Sequence, residues 1–247
     1  MQQYNQFLAL HEQTTPLIIP NAWNVASAKA IEKAGFKAIA TSSGAIAASL
    51  GYADGEQIPF KELLYVVQRI RASTSLPLSV DMERGYTNDL SQLNDHVQQL
   101  VEAGVAGINL EDNQDEEIYV KKLSSIRNYL TKNNLSLFIN ARTDVFLQKL
   151  PAPLETTLQR AARYAKEGAN GLFVPALRDA DSIRTIAAAT ALPLNIVPGP
   201  GLDTVAVLKG LGVRRISMAV LLYKASHQYT EKLLTGIQEE QSFSSLL

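Results

Sequence analysis

The 247-residue sequence contains no cysteine. That absence excludes a disulfide framework, a thiolate metal site and any reaction that uses a Cys nucleophile or a Cys acid/base. Histidine is scarce as well, with three in the chain, and tryptophan occurs once. Neither charge sign dominates: 23 Lys and Arg face 24 Asp and Glu, for a formal charge of −1. A chain this balanced presents no electrostatic footprint for nucleic acid or an anionic membrane surface. No apolar stretch approaches the ~20 residues needed to span a bilayer. The stretch from Met1 to Leu10 is polar and lacks the apolar core of a secretory signal. Low-complexity tracts are missing too, the longest run of one residue type being Ala187–Ala189, which reads as the small-residue face of a helix. The expectation is a soluble, cytoplasmic protein without nucleic-acid or membrane partners.

What the sequence does have is a hydrophobic content of 46% and a repeating alternation. Short β-rich apolar runs at roughly 17–20, 37–43, 76–83, 106–112, 136–144, 170–176, 192–198 and 214–219 read as strands. Between them lie amphipathic patterns such as Asn24–Ala34, Phe60–Ala72, Leu90–Ala103 and Leu154–Lys166; in the third, Leu93, Val97, Leu100 and Val101 fall at helical spacing. Four helix exits share one form, Ala34-Gly35, Ala103-Gly104, Glu167-Gly168 and Leu211-Gly212, each with the glycine that lets a helix end in a left-handed turn. Leu76-Pro77-Leu78 and Leu192-Pro193-Leu194 introduce two of the alternate strands as a faint internal repeat. Strands joined by helices are parallel, and eight such units without a linker predict one α/β domain over residues 1–247, a closed (β/α)8 TIM-like barrel. The open doubly wound sheet competes poorly, because Pro20-Asn21-Ala22-Trp23 follows the first strand where that fold places a glycine-rich phosphate turn.

Three consecutive strand candidates end in charge. One reads Leu-Ser-Val-Asp81-Met-Glu83-Arg84, the next Gly-Ile-Asn-Leu-Glu111-Asp112, and the third Phe-Ile-Asn140-Ala-Arg142-Thr-Asp144. In a parallel barrel these C-terminal strand ends form the face that carries active sites. Side chains alternate along a strand, so Asp81 and Glu83 share one side, as do Asn140, Arg142 and Asp144. If those sides point inward, Asp81, Glu83 and Glu111 converge with Arg142. Three gathered carboxylates repel one another unless a cation offsets them, and an all-oxygen set suits Mg²⁺ or Mn²⁺ rather than zinc. An ordinary solvated surface is the bland alternative for any one of these charges; the same pattern at three successive strand ends favours a site.

At this point a resemblance becomes specific. Thr41-Ser-Ser-Gly-Ala45, Val80-Asp-Met-Glu-Arg-Gly-Tyr86, Ile108-Asn-Leu-Glu-Asp112 and Asn140-Ala-Arg-Thr-Asp144 resemble, in order, the signatures of the isocitrate lyase/phosphoenolpyruvate mutase superfamily, and Asn21-Ala-Trp-Asn24 resembles its first strand end. The likeness runs from about residue 14 to 225. It implies a barrel whose last helix is often exchanged between subunits, substrates that are small α-keto or α-hydroxy acids, and a Mg²⁺ ion that stabilises an enolate-like species. By the resemblance, Asp81 is the direct metal ligand, Glu83 and Glu111 hold the metal through water, and Arg142 neutralises the charge of substrate or intermediate. Ser43 with the backbone N–H groups of Gly44 and Ala45 grips a carboxylate, Asp54 lies near the reacting centre and Trp23 walls the pocket. Catalysis is thereby assigned to Arg142, Asp54 and Glu111, and substrate binding to Trp23, Ser43, Gly44, Ala45, Asp81, Arg142 and Asn195, the last near a strand end.

The sequence also departs from that family. Its lyases carry a Pro-Lys-(Lys/Arg)-Cys-Gly loop after the Glu-Asp pair, whereas Glu111-Asp-Asn-Gln-Asp-Glu-Glu-Ile-Tyr-Val-Lys-Lys122 has no Cys, Pro or His. The mutase run Pro-Lys-x-Asn is missing as well, and Glu83 stands where Asp is commoner. What remains is cleavage of a C–C or P–C bond in a small α-keto dicarboxylate or phosphonopyruvate-like acid by a lyase-, decarboxylase- or hydrolase-type enzyme. The alternative is a catalytically reduced barrel that only binds such acids. Glu116, Glu117, Tyr119 and Lys122 are loop candidates, more simply read as a solvated turn. His11, His96 and His227 read as helix-surface residues, Pro175 as a second pocket-lining candidate beside Asn195, and Pro198-Gly-Pro-Gly201 as a stiff loop. The apolar helix Val220–Ile237 suits exchange between subunits of a homodimer or homotetramer.

Overall fold

The computed structural model describes residues 2–113 and 115–247. A helix, α1 (Gln2–His11), precedes the strands β1 (Leu17–Ile19) and β2 (Asn21–Ala22). Then come α2 (Val25–Lys33), β3 (Ile39–Thr41), α3 (Ser43–Ser49), α4 (Phe60–Arg71), β4 (Leu78–Asp81), α5 (Leu90–Glu102) and β5 (Gly107–Glu111). The chain continues through α6 (Glu116–Lys132), β6 (Phe138–Arg142), α7 (Pro153–Lys166), β7 (Gly171–Phe173) and α8 (Ala180–Ala189). It finishes with β8 (Leu194–Ile196), α9 (Val205–Gly210), β9 (Arg215–Ser217), α10 (Leu221–Glu240) and a 3₁₀ turn at Ser244–Leu246.

All strand pairs are parallel, and their order closes on itself. β1 pairs with β9 while β2 pairs with β3, yet β1 and β2 are consecutive parts of one stave. Pro20 interrupts that stave because it has no N–H for the ladder, and its carbonyl still accepts from the Ala40 N–H at 2.9 Å. The result is a parallel barrel of the (β/α)8 type. The ladders are shorter than the apolar runs suggest, with β3 at Ile39–Thr41 against an expected 37–43, because the flanking residues already turn toward the helices.

The alternation along each stave divides the apolar residues between two cores. Outward-facing Val80, Ile108, Leu110, Ile139, Leu172 and Ile216 pack with Leu63, Leu93, Val97, Leu100, Leu123, Ile126 and Ile183 of the surrounding helices. Leu93 and Val97 are fully buried, and each contributes about 1.5–3 kcal/mol by leaving water. A smaller inner cluster of Leu17, Ile19, Ala38, Ala40, Ala106 and Phe138 fills the lower barrel, plugged from beneath by Phe7 of α1. Helix α1 was not anticipated from its polar sequence; only Phe7 and His11 of it are buried. Above that apolar floor the inward positions turn polar, with Ser79, Asn109, Asn140, Asn195, Arg215 and Ser217 all buried.

Helix starts carry side-chain caps: Asn24 and Ser27 form a reciprocal capping box, and Asp89, Asp115, Asp179 and Thr204 cap α5, α6, α8 and α9. The four anticipated helix exits all adopt positive φ, from +81° at Gly104 to +98° at Gly168. Among the described residues no helix is long and apolar enough to cross a membrane.

Candidate active site

The C-terminal ends of β3, β4, β5 and β6 surround a cavity of about 300 Å³ lined by Ser43, Asp54, Glu83, Glu111, Arg142 and Asp144, with Arg84, Asn113 and Gln148 at its edge. Larger hollows exist, one of about 550 Å³ beneath the barrel beside His11, Lys209 and Arg214. That hollow has one carboxylate in its lining, Glu12, and it opens at the face where barrels do not place their chemistry.

Strand alternation explains who faces the cavity. On β5, Glu111 points in and Asp112 points out, where its Oδ2 accepts from Arg160 at 2.8 Å and from the Tyr164 hydroxyl at 2.5 Å. Its Oδ1 receives the Asp144 N–H, so Asp112 ties the β6 end to α7. On β6, Arg142 points in and its fork engages Asp144 through Nε (2.7 Å) and Nη2 (2.9 Å). Arg142 Nη1 also lies 2.6 Å from Glu111 Oε2. Five guanidinium N–H groups minus these three bonds leave two that can still face a ligand.

Asp81 sits behind Ser43, whose hydroxyl and N–H donate to its Oδ2 at 2.8 and 3.3 Å. The other oxygen of Asp81, Oδ1, is buried and has no partner among the described residues. Glu83 holds a left-handed backbone, φ 47°, followed by Gly85 at 100° and Tyr86 at 62°. Non-glycine residues adopt such angles at a cost of order 1–3 kcal/mol each, and they persist only where neighbours enforce them. Here Glu56 accepts from the N–H groups of Arg84 and Tyr86, Lys122 Nζ donates to the Arg84 carbonyl at 2.7 Å, and the Glu83 carbonyl accepts from Glu111 N. The Tyr86 hydroxyl donates to Glu83 Oε1 at 2.9 Å.

Burial and crowding disturb the acids. Glu83 is pushed up to about 7, first by loss of water and then by Asp81, with the Tyr86 hydrogen bond pulling the other way. Glu111 is pushed up to about 8 by burial; Arg142 opposes the shift, while Asp81, Asp144 and Glu83 add to it. The short contact with Arg142 does not reverse that direction, because one guanidinium is shared between Glu111 and Asp144. Asp144 is raised by burial as well. Burial opposes the charge of Arg142, yet Glu111 and Asp144 hold it firmly protonated.

Several expected placements need correction. Asp81, Glu83 and Glu111 do not stand as a ready trio: among the described residues no group of three acids or histidines is spaced to share an ion. Tyr86 draws the Glu83 carboxylate and Arg142 with Asn113 draws that of Glu111, Asn113 Nδ2 donating at 2.7 Å. The donor set still fits a hard cation that retains most of its waters, since it is all oxygen and Asp81 offers one buried oxygen without a partner among the described residues. Trp23 does not line the cavity; its ring meets Tyr223 edge-on at 5.3 Å and borders an apolar groove with Ala30, Phe36 and Leu222. Asn195 lies deeper, inside the barrel, donating to Ser217. Ser43 opens the short helix α3, where the N–H of Ala45 is taken by the Ser42 cap, so Ala45 is not free to grip a carboxylate. Gly44 has the Asp54 carboxylate against it: a Cβ there would meet Asp54 Oδ2 at 2.9 Å.

The segment after Glu111 is also not a loop throughout. Gln114 lies outside the described residues, and from Glu116 the chain is helical. Glu116 and Glu117 pair with Arg163, Tyr119 is buried and donates to the Leu110 carbonyl, and Lys122 is buried at the base of the strained turn. His11 and His96 are buried rather than on helix surfaces, His11 stacked on Phe138 and His96 on Phe60. Asn113, Arg84, Glu56 and Gln148 were not singled out by sequence reasoning. Asn113, two positions beyond Glu111, could have been found by extending the alternation.

Comparison with known proteins matches residues 7–238 to the family described as phosphoenolpyruvate phosphomutase. An uncharacterised protein of Mycobacterium tuberculosis (strain H37Rv) is 36% identical over 220 residues, covering 89% of this chain and 83% of that protein. An oxaloacetate decarboxylase of Rhodopseudomonas palustris (strain HaA2) is 32% identical over 183 residues, covering 70% of this chain and 62% of that enzyme. A solved structure from Burkholderia cenocepacia J2315, whose name assigns it as a phosphonomutase, has a TM-score of 0.90 at 35% identity and covers 95% of this chain and 100% of its own.

Proposed function

The chain belongs to the phosphoenolpyruvate phosphomutase family, within the isocitrate lyase/phosphoenolpyruvate mutase superfamily, and on that premise we propose that it is a divalent-metal-dependent lyase that decarboxylates a small α-keto dicarboxylate of the oxaloacetate type. The observation that carries this reading is the cavity itself: acids with the Arg142 guanidinium among them, and Arg84 at the edge, beyond the ends of β4, β5 and β6, in a chain with no thiol. Among the reactions open to such a site, decarboxylation asks least of a protein acid. The bond between the β-carbon and its carboxylate breaks, CO₂ leaves, and the electron pair passes to the keto oxygen as an enolate. The β-carbon then takes a proton from water, which enters at the open rim beside exposed Asp54. The relative named as an oxaloacetate decarboxylase supports the same choice.

Mg²⁺ or Mn²⁺ at Asp81, with Glu83 and Glu111 holding its waters, would supply Lewis-acid polarisation of the keto group, worth several kcal/mol. The chain's own part is positioning and charge. The two spare N–H groups of Arg142, held by its bonds to Asp144 and Glu111, face the developing oxyanion or the retained carboxylate. Ser43 is placed to exchange its bond with Asp81 for one to the substrate carboxylate. The volume of about 300 Å³ admits a four-carbon acid with waters.

The test is release of CO₂ and pyruvate from oxaloacetate, above the background that the free ion gives, with Mg²⁺ and with EDTA, for the natural chain and for Asp81→Asn. Absence of enzyme-dependent turnover across oxaloacetate, phosphonopyruvate and methylisocitrate-like acids would end the enzymatic reading. Binding of oxalate with Mg²⁺ but no turnover would favour the binding barrel, a reading encouraged by the missing Cys loop.

The proposal extends to a homo-oligomer. No residue of α10 is buried, and Leu221, Tyr229 and Leu234 stand exposed along it. An apolar groove of about 500 Å³ lies at its root, between Trp23, Ala30 and Leu222. A second copy covering these residues accounts for them, and Leu234→Lys, measured by light scattering, is expected to shift the assembly toward monomer.

A further inference from the structure

Beneath the acidic mouth lies a charge that the proposed chemistry does not use. Arg215, on β9, is fully buried inside the barrel. Its Nη2 reaches Ser79 Oγ and Asn109 Oδ1 only at 3.4 Å each, while its Nε and Nη1 have no partner among the described residues. Its guanidinium carbon lies 5.6 Å from the centre of the Phe7 ring, which closes the barrel from below. Such a buried, poorly bonded cation is expensive, so the fold has to compensate for it or use it.

The mouth above has the opposite imbalance. Asp54, Glu83, Glu111 and Asp144 line it, Asp81 lies just behind Ser43, and Arg142 is engaged with Glu111 and Asp144. Arg84 is tied to Glu56. Among the described residues neither Asp81 nor Glu83 has a cation within bonding distance. Ser79 and Asp81 project to the same side of β4, two residues apart, which places Arg215 about one layer, ~7 Å, below the Asp81 carboxylate. Burial pulls the Arg215 pKa down to about 9, and Asp81 is the acid that holds it up, so the group stays charged at neutrality.

We infer that Arg215 is the resident countercharge of Asp81: a positioning residue that holds the acidic mouth together before any ion arrives and thereby weakens its grip on a divalent cation. This rests on the reading of the mouth as a cation site. The sign of the second effect distinguishes it from a merely structural role. A cation fixed about 7 Å away inside the barrel repels an incoming ion, so removing it tightens metal binding.

Two measurements test this. Mn²⁺ alone, titrated and followed by the paramagnetic signal of the free ion, is expected to bind Arg215→Met at least about tenfold more tightly than the natural protein. Arg215→Lys, which keeps the charge, is expected to stay close to the natural value. Equal or weaker binding by a folded Arg215→Met or Arg215→Gln overturns the inference. The second measurement needs no metal. In EDTA, Asp81→Asn is expected to lower the melting temperature of the natural chain, because it strands Arg215. In the Arg215→Met or Arg215→Gln background the same change is expected to raise it, because only like-charge repulsion is then relieved. Absence of that reversal refutes the pairing even if Mn²⁺ binds well. Failure of the natural protein to bind Mn²⁺ instead removes the cation-site reading, and with it the claim about metal affinity, while the double-mutant comparison still decides whether Arg215 and Asp81 are coupled.

Discussion

Glu83 and Glu111 make the metal-free protein sensitive to alkali in a window that carboxylates do not ordinarily occupy. Both are almost fully buried, and they are raised to about 7 and about 8. In the unfolded chain each ionises in the usual carboxylate range, so the folded state binds more protons than the unfolded one between that range and the raised values. The stability they confer is therefore complete at low pH and is lost as pH rises through about 7 and then about 8. His11, held neutral by burial and lowered to about 3, works in the opposite direction below its ordinary value, so the clean interval lies above it. Linkage over about pH 6.5 to 8.5 costs about 2 kcal/mol from Glu111 and about 1 from Glu83. For a chain of this size that lowers the melting temperature by about 5–10 °C. The assay is thermal unfolding in EDTA across that interval, repeated for Glu111→Gln, which is expected to flatten most of the slope. A melting temperature that stays level or climbs over the interval would refute the reasoning. Saturating Mn²⁺ is expected to abolish the dependence and, at neutral pH, to release protons measurable by calorimetry in buffers of different ionisation enthalpy.

Arg142→Leu strands Asp144 without its cation and takes one partner from Glu111, and is expected to cost about 3–5 kcal/mol of stability in denaturant titration. The same substitution should reduce kcat/KM for the keto acid at least about a hundredfold. Tyr86→Phe deletes one hydrogen bond to Glu83, costing about 1 kcal/mol and moving the Glu83 titration further up, as carboxyl NMR shifts would register. Gly85→Ala forces a Cβ to within 2.5 Å of Leu93 Cδ1 at a φ of +100°. Its expected penalty is at least about 1–3 kcal/mol, with weakened Mn²⁺ binding as the 83–86 turn relaxes. Trp23→Ala, away from the cavity, should leave KM for the keto acid unchanged while altering the sedimentation of the assembly.

The sequence by itself determined the barrel and the strand ends that carry the site. A period of two in the staves, a longer period in the helices and glycine at four helix exits are local properties, and local properties survive in a linear reading. The alternation also put Asp81 with Glu83, and Arg142 with Asn140 and Asp144, on one side of their strands, but left open which side faced inward. Only the tertiary structure decided which of them meet. Arg142 pairs with Glu111 because β5 and β6 register those two residues opposite each other. Glu83 turns to Tyr86 because Glu56, nearly 30 residues earlier, pins a left-handed backbone. Asp54 reaches the cavity only by the path of the segment between α3 and α4, and Trp23 leaves it because Tyr223 draws its ring aside. Arg215 sits beside an arginine and an isoleucine in sequence, where nothing marks it as interior. Its meaning arises when closure of the barrel brings β9 within reach of Ser79, 136 positions away. Charges act through space rather than along the chain, so their pairing is settled by the three-dimensional register.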